Sequence, residues 1–173
     1  MRLIDIKNTT TMYRKYLSLV FLFFPACMFL FFLLGFHKEI TAMYRLTSVP
    51  VALYFIIIFG IIATIGGVLD WSYHRNVLKL KISKKERKSE LLALACGGAP
   101  MFVLMCGATL SQAKSLYLIP ITLVLVYTVV MICYDEFVYH LKRCKLKETI
   151  YHRMLVLGNG IAWFSWFYFI YVS

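Results

Sequence analysis

Hydrophobic and polar positions segregate into blocks along this chain. Apolar runs extend from about Leu17 to Phe36, Pro50 to Leu69, Leu91 to Leu110, Tyr117 to Tyr134 and Met154 to Val172, with charged residues gathered between them. Each run holds roughly 20 residues, the length that crosses a hydrocarbon core of ~30 Å at 1.5 Å per residue. The pattern predicts an all-α integral membrane protein. It forms one transmembrane domain over residues 1–173 with five transmembrane helices.

Punctuation within the runs refines the picture. Pro25 kinks the first span, a cost tolerated where neighbouring helices satisfy the freed backbone group. The apolar core of that span is too long for a cleaved signal peptide and has no Ala-x-Ala site, so it reads as a retained anchor. Pro50 suits the first turn of span two. Cys96-Gly97-Gly98-Ala99-Pro100 predicts a kink or local unwinding in span three. Gly158-Asn159-Gly160 opens span five and reads chiefly as close helix packing through small residues. Asn159 is expected to hydrogen-bond a neighbouring helix.

Charge sets the orientation. The N-terminal segment, the 70–90 connection and the 135–153 connection carry four, seven and five Lys or Arg. The 37–49 and 111–116 connections carry two and one, and the C-terminus none. Sixteen therefore face three, and the positive-inside rule predicts an N-in, C-out chain. Tyr and Trp near the span ends fit interfacial belts. A plasma membrane or bacterial inner membrane is the expected location.

Composition agrees with the blocks. Hydrophobic residues make up 61%, charged residues 16%, and mean hydropathy is +0.76. A soluble domain is typically ~45–50% apolar and ~25% charged. The net charge of +11 does not require nucleic acid, because no such binding motif is present. Contact with the anionic headgroups of the lipid bilayer accounts for it. The five cysteines (Cys27, Cys96, Cys106, Cys133, Cys144) form no CxxC pair and read as free thiols. Cys144, set among Lys142, Arg143 and Lys145, reads as a loop-tip bystander more readily than as a reactive thiol. His37 reads as an interfacial residue.

One constellation looks chemical. Glu136, His140, Cys144, Glu148 and His152 recur every four residues. A turn centred near Cys144 would place His140 opposite Glu148 and Glu136 opposite His152 on antiparallel helices. The 70–90 connection carries a weaker counterpart, in which Asp70 faces Glu90 and His74 faces Glu86. Spans 2–3 and 4–5 thus read as a parallel two-helix repeat. Imidazole and carboxylate are ligands for iron, zinc or manganese, and bundles place Glu and His on facing helices to hold such ions. The spacing of four departs from the Glu-x-x-His of soluble di-metal bundles. Ion pairing and helix capping in the wet interfacial layer account for the same residues.

Two functions follow. In the first, Glu136, His140, Glu148, His152, Asp70, His74, Glu86 and Glu90 bind a divalent metal, in an enzyme acting on a hydrophobic substrate at the cytoplasmic interface. In the alternative, the chain is a non-catalytic membrane subunit or assembly partner. Its basic loops then dock a protein or anionic lipid, or it forms a homo-oligomer. A transporter ranks below both, since almost no ionisable group lies deep in a span.

Overall fold

The computed structural model describes residue 29 and residues 31–77, 84–140 and 146–172. Every regular element among them is helical. They are α1 (His37–Tyr44), α2 (Val51–Ser72), α3 (Lys84–Ala93), α4 (Ala99–Leu110), α5 (Leu118–Asp135) and α6 (Leu146–Tyr171). Wide turns with the i→i+5 winding of a π-helix occupy Tyr73–Val77, Leu94–Gly98 and Glu136–His140. A tight 3-10 turn over Lys114–Tyr117 leads into α5.

Three helices are long and apolar enough to cross a membrane: Val51–Ser72, Lys114–Val138 and Leu146–Tyr171. With 22, 25 and 26 residues, they extend about 33–39 Å at 1.5 Å per residue. The apolar helix Ala95–Leu110 is shorter and continues from the charged α3. Most of the first predicted span lies outside the described residues. Its end at residues 31–35 is helical, and α1 follows after a bend at Phe36. The 37–49 connection is therefore partly helical rather than a plain loop. Arg45 ends α1 in the left-handed conformation (φ 48°, ψ 43°), and the amide of Leu46 donates to the Thr41 carbonyl at 3.0 Å. That arrangement satisfies carbonyls that a helix end leaves open.

The most extensive packing joins α2 to α6. Ala63, Gly66 and Gly67 on α2 and Gly158 on α6 are buried. A Cβ at Gly66 would lie 2.7 Å from the Leu155 amide nitrogen, and one at Gly158 would lie 2.8 Å from that of Ala63. The helices thus touch backbone to backbone, in an antiparallel register that sets 66 beside 151–155 and 63 beside 158. Small residues permit this approach where no large side chain could fit. The packing expectation for Gly158 is met. Asn159, expected against a neighbouring helix, is exposed, because its position on α6 turns away from the glycine seam.

Toward its C-terminal end α6 also meets α4, and Met101, Met105, Ala108, Trp166, Phe169 and Ile170 form the core there. Trp166 stacks with Trp163 at 5.5 Å and meets Phe102 edge-on at 5.7 Å. α5 returns along α3 and α4: Gly97 packs on Thr128, and Gly107 packs on Tyr117. The predicted disturbance at Cys96-Gly97-Gly98 appears as the π turn over Leu94–Gly98. α6 runs unbroken through Gly158 and Gly160. The two units of the expected repeat share a π turn after the outgoing helix and differ in the returning one.

Candidate functional site

The chemistry expected from the sequence gathers at the end where α2 and α5 finish and α6 begins. Nothing in Leu146–Arg153 breaks a helix, and α6 accordingly starts eight residues before the apolar run does. Glu148 and His152 therefore stand one turn apart on a regular helix. Glu148 lies in the first turn, where a carboxylate interacts favourably with the helix dipole.

Glu148 is wholly buried, facing α2. Its Oε1 lies 2.5 Å from Nε2 of His74. A carboxylate oxygen accepts, so Nε2–H is the donor. The same ring nitrogen lies 3.7 Å from Oδ1 of Asp70, one turn back on α2. His74 thus stands between two carboxylates of different helices. A second pair sits one turn further along α6, where Nε2 of His152 meets Oε2 of Glu136 at 3.3 Å. Tyr73 and Tyr151 meet edge-on at 6.1 Å beside the first pair.

Glu136–His152 is the pairing that the spacing about residue 144 predicts. His74–Glu148 is one it does not suggest, since the spacing puts His140 opposite Glu148 and Glu86 opposite His74. The side chains of His140, Glu86 and Glu90 lie outside the described residues, as do residue 144 and the turn around it. The five described members of the expected ligand set form two acid–histidine pairs, with Asp70 behind the first. Among the described residues, no three His, Cys, Asp or Glu side chains are placed to hold a metal ion. Cys96, Cys106 and Cys133 are free thiols.

Cations surround this end. Lys85 and Lys88 on α3 and Lys147 and Arg153 on α6 are exposed. Large apolar side chains are exposed among them, including Leu146 at 78%, Phe137 at 63% and Val77 at 63%.

A second polar knot at the opposite end escapes the sequence pattern. Lys114 donates from Nζ to the Ile170 carbonyl at 3.2 Å and lies 3.8 Å above the Tyr44 ring. Tyr171 donates its hydroxyl to the Lys114 carbonyl at 3.1 Å. Tyr44 donates to the Thr109 carbonyl at 3.3 Å, and Trp166 Nε1–H donates to Thr109 Oγ1 at 3.0 Å. Burial, with a smaller contribution from Tyr171, pushes the Tyr44 hydroxyl up to about 12. The signal available in the sequence is Lys114 itself, the one cation in a short connection facing the aromatic end of α6. His37 is exposed and donates from Nδ1 to the Leu34 carbonyl at 3.1 Å, in keeping with an interfacial residue.

No family model matches the chain, and no curated protein or solved structure matches it either.

Proposed function

We propose that this chain is a five-span, N-in, C-out membrane protein acting as a non-catalytic membrane component. Its basic face is a docking surface for a negatively charged partner on the cytoplasmic side. One observation carries the proposal. Glu148 and Glu136 are engaged by His74 and His152, while Lys85, Lys88, Lys147 and Arg153 point outward. The acid–histidine pairs tie α6 to α2 and to the end of α5, and the described charged side chains left exposed around them are cationic. The sixteen-to-three division of Lys and Arg supports the orientation.

The test is affinity purification in mild detergent followed by analysis of co-purifying protein and lipid. Replacing Lys85, Lys88, Lys147 and Arg153 with Gln is expected to strip the bound partner, while His152→Ala leaves it in place. Two results would overturn the proposal: retention of the partner by the Gln variant, or a stoichiometric metal in the wild type that His152→Ala removes. The second result would restore the metal reading, with His140, Glu86 and Glu90 as the residues to examine next.

A further inference from the structure

We infer that the partner of the basic face is the headgroup layer of anionic glycerophospholipids, held by a collar of Lys85, Lys88, Lys147 and Arg153. The inference rests on the docking reading and names its occupant. Charge is the first support. The described carboxylates at this end lie inward, Glu148 wholly buried against His74 and Glu136 facing His152. The collar therefore presents cations outward, complementary to phosphate. An Arg fork fits two phosphate oxygens at once, and Lys supplies a point charge.

The exposed apolar side chains are the second support, and they favour lipid over protein. Leu146 adjoins Lys147, and Val77 and Phe137 stand in the turns that end α2 and α5. All three are more than 60% exposed. Set singly among cations, the three do not make the contiguous apolar core on which a protein interface is centred. A membrane interface accommodates both: apolar side chains enter the acyl boundary while long cationic ones reach the phosphates. Depth is the third support. Lys147 and Arg153 lie within about two turns of the apolar run that begins at Met154, and Lys85 and Lys88 within about two turns of the one that begins at Leu91. Long cationic side chains extend from there into a headgroup layer of ~5–8 Å.

The experiment reconstitutes the full chain in phosphatidylcholine vesicles containing spin-labelled phosphatidylglycerol or spin-labelled phosphatidylcholine. The motionally restricted fraction of each label gives the selectivity of the protein surface. Phosphatidylglycerol is expected to be preferred by roughly fivefold. High salt should reduce the preference, because charges at the interface are screened. The quadruple Gln variant should bring it close to one. Its four sites are exposed, and unchanged far-UV circular dichroism confirms that it folds. A ratio of one in the wild type, or a preference that survives in the variant, overturns the inference. If the ratio is one while the variant still sheds a co-purifying acidic protein, the docking reading stands and the lipid assignment fails. If neither changes, both fail.

Discussion

Two glycines of α6, two residues apart, should respond to alanine with opposite signs. At Gly158 a Cβ would lie 2.8 Å from the Ala63 nitrogen, 2.9 Å from the Phe59 oxygen and 3.0 Å from the Ala63 Cα. These are backbone atoms of a regular helix and cannot swing aside. Carbon contacts are comfortable at ~3.5–4.0 Å, so α6 must retreat from α2 by roughly 0.5–1 Å. A gap of that size forfeits a quarter to a half of the dispersion well for the contacts it opens. Overpacking of this kind costs about 1–3 kcal/mol. Alanine recovers about 0.5–1 kcal/mol from its better helix propensity. The net expectation for Gly158→Ala is a loss of about 1–2 kcal/mol.

At Gly160 a Cβ meets nothing within 4 Å. Only the propensity gain remains, so Gly160→Ala should be neutral or stabilising by up to ~1 kcal/mol. Gly66→Ala repeats the first case from the other helix, with a Cβ 2.7 Å from both the Leu155 nitrogen and the Met154 Cβ. Either seam substitution forces the same retreat. The double variant Gly66→Ala/Gly158→Ala should therefore cost less than the two single losses added together. Equilibrium unfolding in mixed detergent micelles titrated with dodecyl sulfate, followed by far-UV circular dichroism, measures all four. If Gly158→Ala is as stable as Gly160→Ala, the backbone contact between α2 and α6 does not exist.

His74→Ala removes the imidazole from a carboxylate that is wholly buried; the expected loss is about 2–4 kcal/mol, and His74→Leu/Glu148→Leu should recover most of it by removing the charge as well. The same unfolding assay reads both, and a double variant no better than His74→Ala would refute the pairing. Lys114→Met deletes the bond to the Ile170 carbonyl and the contact with Tyr44. A cost of about 1 kcal/mol is expected from the lost helix-end and ring interactions, with Lys114→Arg closer to wild type. Tyr44 gives a pH dependence. Its folded-state value of about 12 exceeds the ordinary 10.0, so the unfolded chain releases this proton first as pH rises. Its contribution is intact below pH 10 and is lost progressively between 10 and about 12. Tyr44→Phe should flatten that part of an alkaline unfolding series, and an unaltered slope would count against the assignment.

The spans and the acid–histidine pairs were not equally legible. The bounds of α2 and α5 follow the apolar runs to within a few residues, because lipid contact demands apolar side chains nearly all round a helix. The start of α6 does not follow, because hydropathy reports what lies in hydrocarbon and not where helix begins. Leu146–Arg153 is too charged to count as span, yet it has no Gly or Pro to stop the helix. Glu136 and His152 could be paired from spacing alone, since a turn between antiparallel helices acts as a mirror along the sequence. No such mirror relates α2 to α6, which are separated by α3, α4 and α5. His74 and Glu148 therefore carry no spacing signature.

The glycines set the register that the structure adopts: on antiparallel helices Gly66 lies beside 151–155 and Gly158 beside 63. Carrying that register two turns toward the basic end brings residue 74 level with 148, which is where the structure places the histidine and the buried acid. Steric fit and charge thus specify one alignment. Sliding α6 by a single turn would set Glu148 level with Asp70, acid against acid, and would put side chains where backbone contact now occurs. A buried ion pair is weak evidence of stability, because desolvation offsets much of its attraction. Its better attested use is to fix register. Along a glycine seam that already opposes slippage sterically, His74 and Glu148 add an electrostatic penalty to the same slip.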